Sequence, residues 1–477
     1  MGAAGLWMLL ATAIAMAGSG LPAWLVLVGT STVFAAGGLA TGVLTPSLFS
    51  LLPLRLLGLL ENDLLQALPL YVLVGALLNR LPLMDTLFRV ALHLLRRSAA
   101  APHLAGMALG TLLAPMNGSV GASVTMLSRA VAQRLDAQHV PAERSAALVC
   151  SASTMGVVVP PSLVLILLGD AMMRAHTEAV NATGQMVRII NTQDIFHGAL
   201  LPAVALLLLF LGLTWWQNRG PAPAAAAPAP VPSRSDWALA LASLACILAL
   251  LGAVTLGYLY AVEGAASFGL LLMLFGAASR SLSLPVGRAI LHDTLATSGA
   301  LFALLVAATS YTLVLRAFGT DVWVQDFLHK LPGGAATALA VVMLMLVLSA
   351  FILDAFEIIF VIIPIAMPPL LVLLPDAVWV GVLALLVLQL SFLLPPFGYA
   401  ILMVGNVLQR RLSVRQLSRA LLPYLLAQAA VIAAVLAWPQ LVWQAQEPAA
   451  ASAPALSEQE VQQLLEQQRL DSENEKP

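Results

Sequence analysis

Gly156-Val157-Val158-Val159-Pro160-Pro161-Ser162 and Ser391-Phe392-Leu393-Leu394-Pro395-Pro396-Phe397-Gly398 decide the fold. The first lies in an apolar run from about residue 147 to 168, the second in a run from about 378 to 404. Proline lacks a backbone N–H and its ring clashes with the preceding turn, so a Pro-Pro pair unwinds a helix and frees carbonyls. At membrane depth, freed groups are tolerated only where protein or water satisfies them. The repeated pattern predicts two broken transmembrane helices, one in each half of the chain. Such breaks at corresponding places point to the binding site of a secondary transporter.

Composition agrees with a membrane setting. Of 477 residues, 60% are hydrophobic and 9% charged, against about 25% charged in a soluble domain, and the mean hydropathy is +0.94. A helix crosses the hydrocarbon core with about 20 apolar residues. Runs of that length fill most of the chain and leave little room for a soluble catalytic domain. The chain therefore reads as an all-α polytopic membrane protein. Its first charged residue is Arg55, so the N-terminus lacks the basic region of a cleavable signal peptide and is expected to remain as a membrane segment. Cys150 and Cys246 both lie in apolar runs, which argues against a disulfide framework or thiolate metal site. No basic patch interleaved with aromatics suggests nucleic acid. The only lysines are Lys330 and Lys476, neither following a glycine, which excludes a Walker-type ATP site. No HExxH or GxSxG suggests an intramembrane enzyme, and no cofactor is expected.

Apolar segments occupy about 5–38, 42–60, 67–80 and 82–95. Gly18-Ser19-Gly20-Leu21-Pro22 interrupts the first, which reads as one long helix or two short ones, and the second suits an interfacial position. In the segment 101–130, Ala114-Pro115-Met116-Asn117-Gly118-Ser119 sits at the midpoint. Its Pro, Asn and Gly predict a turn between two half-helices, hence a re-entrant hairpin. The stretch 174–197 is too hydrophilic to span, and a span near 199–216 follows. Pro221 to Pro232 is a low-complexity Ala/Pro linker with polyproline character. Further spans fall near 237–256, 264–279 and 293–316. The apolar region 334–374 is interrupted by Asp354 and Glu357, and the last span lies near 420–443. In the polar tail, Ser457-Glu458-Gln459-Glu460 fits a capping box.

If 101–130 is a hairpin, Arg96, Arg97, Arg129, Arg134 and Arg144 fall on one side, joined by Arg219, Arg234, Arg280, Arg288, Arg410, Arg411, Arg415 and Arg419. The positive-inside rule makes that side cytoplasmic. The first hairpin then enters from the cytoplasm and the second from outside, as inverted repeats. An ionisable group at the bilayer centre costs about 2.5–3.5 kcal/mol, so Asp354 and Glu357 should face protein or water. Spaced i, i+3, they share a helix face and either attract a cation or cap a hairpin tip exposed to water. Gln389 and Ser391 carry the same ambiguity. Ser151, Ser153 and Thr154 read chiefly as hydroxyls bonded back to their own helix.

A family resemblance emerges from these residues together. Leu68-Pro69-Leu70-Tyr71-Val72-Leu73-Val74-Gly75, the Asn117-Gly118-Ser119 tip, Ser153-Thr154-Met155-Gly156 through Pro160-Pro161-Ser162, and Phe351-Ile352-Leu353-Asp354-Ala355-Phe356-Glu357 followed by Pro364 resemble the large membrane subunit of tripartite ATP-independent periplasmic (TRAP) transporters. Trp379-Val380-Gly381, Gln389-Leu390-Ser391 and Pro395-Pro396-Phe397-Gly398-Tyr399 are similar to the subgroup often labelled mannitol or chloroaromatic compound type. So is the loop from Met173 to Phe196. The resemblance runs from about residue 20 to 440 and implies an elevator-type member of the ion-transporter superfamily, with two re-entrant hairpins and two broken helices in a mobile unit. It also implies sodium as coupling ion, import of organic acids such as carboxylates, a separate small four-helix membrane subunit, a separate periplasmic binding protein, and a bacterial inner-membrane location.

By the same resemblance, backbone around Asn117, Gly118 and Ser119 and from Ser153, Thr154 and Gly156 to Pro160 would help coordinate one sodium, and the region from Asp354 and from Gln389 and Ser391 through Pro395 and Pro396 to Gly398 the other, with Pro161, Ser162 and Glu357 as further candidates. The implied divisions are scaffold helices over 1–100, a first transport repeat and following span over 101–216, a linker over 217–236, second scaffold helices over 237–333, a second transport repeat and last span over 334–443, and a polar tail over 444–477. Three features depart from the family pattern. Asn117 stands where the first tip usually has serine, a Thr-Pro-Thr-Glu pattern survives only as Glu263, and the linker and tail are additions. The competing reading is a stand-alone cation-coupled anion carrier of the same inverted-repeat superfamily.

Overall fold

Gly20, at φ +65°, and Pro22 split the first apolar stretch into two helices, α1 (Gly2–Ser19) and α2 (Ala23–Ala40). A computed structural model describes residues 2–61, 63–117, 119–132, 135, 140–184, 188–219, 231–408 and 413–442. Gly118, the linker core and the Ser457 capping box lie outside the described residues. Residues 1–443 form one compact unit.

Helix follows helix through this unit. A ten-residue α3 (Leu51–Leu60) carries Leu51, Leu54, Leu57 and Leu60 exposed at three-residue spacing, as expected of a helix lying against lipid. It precedes α4 (Asp63–Arg80) and α5 (Leu83–Leu94). The apolar stretch near 82–95 is thus a 12-residue amphipathic helix rather than a span. Its polar residues Asp85, Arg89 and His93 recur every four positions, and Arg89 pairs with Asp236 at 3.0 Å. Next come α6 (Ala101–Leu113), a 3-10 turn (Ala114–Asn117), α7 (Val120–Leu127), α8 (Ala142–Val158), α9 (Leu163–Thr183) and α10 (Thr192–Gln217).

After the linker come α11 (Arg234–Thr255), α12 (Ala261–Ala278), α13 (Leu284–Ala317), α14 (Thr320–His329), α15 (Gly334–Ser349), α16 (Ala355–Leu373), α17 (Ala377–Leu393), α18 (Tyr399–Leu408) and α19 (Val414–Ala437). Glu263, the remnant of the departed motif, accepts the Tyr260 backbone N–H at 3.0 Å and caps α12. Among the described residues, eight helices are long and apolar enough to cross a membrane.

Packing between elements repeats along the chain. In one set, α2 lies on α13 and α4 on α12. In the other, α6 lies on α8 as α15 lies on α17, and α7 meets α18 as α16 meets α9. The first halves of the two broken helices, α8 and α17, pack directly on each other. The α8–α17 pair is the best-buried part of the molecule: every residue of α8 from Ser145 to Val158 is buried.

Candidate transport site

The first break is stitched by one hydroxyl. Ser162 accepts the Leu165 N–H at 3.1 Å, capping α9, and its Oγ reaches back 3.3 Å to the Val157 carbonyl that the prolines freed. The second break has no serine; Phe397 follows its prolines and is 60% exposed. Here the Gly398 N–H bonds to the Leu394 carbonyl at 2.8 Å. A Cβ on Gly398 would fall 2.5 Å from the Phe392 oxygen, so only glycine lets the chain turn back so closely. Both Pro-Pro peptide bonds, 160–161 and 395–396, are cis.

The first hairpin tip fits into the first broken helix. A Cβ on Gly156 would lie 2.6 Å from the Ala114 carbonyl carbon, so the absent side chain sets the approach of α8 to the 3-10 turn. Around this contact Ala114, Pro115, Ser119, Ser123, Ser153 and Gly156 line a cavity of about 10 Å³, about the room one water or small ion requires. Ser119 caps α7 by accepting the Ala122 N–H at 3.1 Å, and Ser123 Oγ is 3.2 Å from the Ala114 carbonyl. Ser153 Oγ is buried without a partner, whereas Thr154 Oγ1 donates to the Ser151 carbonyl at 3.1 Å. The structure therefore brings Ser119, Ser153 and Gly156 together and turns Thr154 back into its own helix. Three serines, Ser119, Ser123 and Ser153, bring hydroxyls to a lining otherwise made of small and apolar residues, among them Val120, Val157, Leu163 and Val164.

At the second tip the chain breaks over Phe351-Ile352-Leu353 and restarts with a reciprocal cap. Asp354 Oδ1 accepts the Ala355 N–H at 2.7 Å, and Glu357 Oε2 accepts the Asp354 N–H at 2.8 Å. Both residues are half-buried. Capping uses one oxygen of each and leaves the other carboxylate oxygens able to accept. A π-helical turn, Ile358–Ile362, follows, as Ser128–Ala132 follows α7 in the first hairpin. The bonds of Gln389 and Ser391 run to other partners, and Gln389 Oε1 is buried without one. Gln389 Nε2 points across to Met155 Sδ at 3.4 Å, tying α17 to α8, and Ser391 Oγ donates to the Val387 carbonyl at 2.7 Å.

Residues 3–441 match the sequence profile of the family described as "Tripartite ATP-independent periplasmic transporter, DctM component". The chain belongs to that family. It is the large permease subunit of a TRAP transporter, a secondary transporter component, and a multi-pass protein of the inner membrane. The C4-dicarboxylate TRAP transporter large permease protein DctM of Rhodobacter capsulatus is 20% identical over 386 residues, covering 80% of this chain and 86% of that protein. The sialic acid TRAP transporter large permease protein SiaM of Vibrio cholerae is 23% identical over 416 residues, covering 87% and 93%. The YdaH transporter of Alcanivorax borkumensis shares the fold at a TM-score of 0.58 and 16% identity, covering 83% of this chain and 89% of that one.

Two features of the permease's site escape sequence reasoning. Tyr399, the first residue of α18, lies within electrostatic reach of Asp354 and Glu357. Its hydroxyl also stands 3.2 Å from where a Cβ on Gly121 would be. One phenol thus lies between the capping residues of one hairpin and the first turn of the other. The second feature is Arg316, at the end of α13, whose partners lie far away in sequence. The nearest available signal was its charge at the end of a long apolar run.

Proposed function

We propose that this permease is the sodium-coupled, elevator-type membrane subunit of an importer of organic acids. A separate periplasmic binding protein delivers the substrate, and a separate small four-helix subunit completes the membrane part. The observation that carries this reading is the small serine-bearing cavity beneath the first hairpin tip, where the Ser153 hydroxyl is buried without a partner. Transporters hold coupling cations with half-helix ends and unwound carbonyls. Asp354, Glu357 and Tyr399 form the second cation and substrate neighbourhood. The division of packing into a group built on α2, α4, α12 and α13 and a group of hairpins and broken helices supplies a frame and a moving part. The charge pattern of the chain supports inverted entry of the two hairpins. The carboxylate class draws on the names of the relatives.

The test is uptake of labelled organic acids into proteoliposomes holding the chain and its small partner, with and without the binding protein and an inward sodium gradient. Uptake that needs both supports the proposal. Uptake indifferent to the binding protein makes this a stand-alone carrier, and uptake indifferent to sodium removes the coupling assignment.

The second break gives a sharper expectation. Replacing Pro395 and Pro396 together by alanine restores donors and removes the ring clash, so α17 and α18 tend to fuse into one rod. Initial uptake should fall at least about tenfold, the equivalent of about 1.4 kcal/mol in the cycle's barrier, while membrane insertion on protease mapping stays normal. Unchanged uptake would show that the break is dispensable.

A further inference from the structure

A larger cavity, of about 460 Å³, runs between α9, α13 and α16, with Arg55 of α3 at its wall. Its lining extends from Leu167 to Glu178 on α9 and from Leu305 to Arg316 on α13, so it follows both helices for about 16 Å. Ile359, on the π turn that follows the Asp354 cap, lines it as well, so it leads toward the second hairpin tip. Five charged side chains face it: Arg55, Asp170, Arg174, Glu178 and Arg316. Arg174 pairs with Asp170 at 3.1 Å. Arg316 grips both oxygens of Glu178, at 2.8 and 3.0 Å, and donates to the Pro364 carbonyl at 2.7 Å. Arg55 has no acidic partner among the described residues. Among the described residues, three guanidiniums stand against two carboxylates.

Arg316 is therefore one bridge between the two packing groups. It stands on α13, which packs on α2 and α4, and it holds α9 and α16, which pack on each other. The forked guanidinium suits any carboxylate, and the Glu178 side chain is 43% exposed.

We propose that this cavity is a carboxylate site, where an organic anion drawn in by Arg55 displaces Glu178 from Arg316 and so unties α13 from α9. The proposal takes its ligand class from the organic-acid reading above and depends on neither sodium nor the binding protein. Glu178 acts as an internal competitor. If it occupies Arg316 about nine-tenths of the time, it raises the apparent dissociation constant of an external carboxylate about tenfold.

The experiment is the thermal midpoint of the full chain with its small subunit in phosphatidylcholine nanodiscs, titrated with succinate against chloride at equal ionic strength, without sodium. Glu178→Gln should lower the half-effective succinate concentration about tenfold, Arg55→Gln should raise it, and Arg316→Gln should abolish the response. A merely structural pair gives the opposite sign: Glu178→Gln lowers the midpoint and leaves the succinate dependence unchanged, which overturns the proposal. So does a Glu178→Gln protein with no carboxylate response, since its Arg316 is released. Loss of the response when phosphatidylglycerol replaces phosphatidylcholine assigns the cavity to a lipid phosphate and overturns it too. None of these results depends on uptake, so a failure of sodium coupling is told apart from a failure of this site.

Discussion

Gly156→Ala should cut uptake about 5- to 150-fold while leaving the protein in the membrane at normal levels. The added methyl meets backbone, with the Ala114 carbonyl carbon at 2.6 Å and its oxygen at 2.8 Å, so no side-chain rotation relieves it. Overpacking of this kind costs about 1–3 kcal/mol. If the packed tip is the competent state, that is a loss of about 5- to 150-fold. The displaced tip also opens the small cavity beside Ser153, so the sodium concentration for half-maximal uptake should rise along with the fall in rate. Wild-type uptake with wild-type sodium dependence would show that the tip seats without this contact and that the cavity holds no coupling ion.

The second large effect separates capping from charge at Asp354. Asparagine caps a helix as well as aspartate does, whereas alanine loses about 1 kcal/mol at such a position. Asp354→Asn should therefore keep the start of α16 and the bond its backbone N–H donates to Glu357, and lose only the negative charge. A drop in uptake of about tenfold or more in Asp354→Asn, with thermal stability near wild type, assigns the charge to the transport cycle. Asp354→Ala should show the same drop with an added loss of stability. Equal uptake in the asparagine variant and the wild type would reduce Asp354 to a cap.

The breaks were legible in the sequence because Pro-Pro acts through local covalent geometry. The turn at 114–119 followed from the same kind of local signal. Asp354 and Glu357 were ambiguous for a physical reason: the i, i+3 spacing that places two carboxylates on one face is also the spacing of a reciprocal cap, and the structure shows the cap. Gln389 was read with the second site because it lies near Pro395 in sequence; packing alone shows that its Nε2 crosses to Met155 while its Oε1 is buried without a partner. Ser153 and Thr154 are neighbours with the same chemistry, and only packing shows that Thr154 bonds to its helix while Ser153 faces the cavity. The Arg316–Glu178 bridge was invisible because nothing local links residues so far apart, and hydropathy alone does not reveal α5 as a short amphipathic helix.

The exchange of partners between halves, α2 with α13 and α4 with α12, bears on how the chain is made. The ribosome delivers α2 and α4 well before their covers exist. Until the second half arrives, the surfaces they will share must be sheltered by lipid or by the insertion machinery, and the first half has no finished fold to reach. A chain released early, at the linker, would leave the faces of α2 and α4 that α13 and α12 cover without their partners.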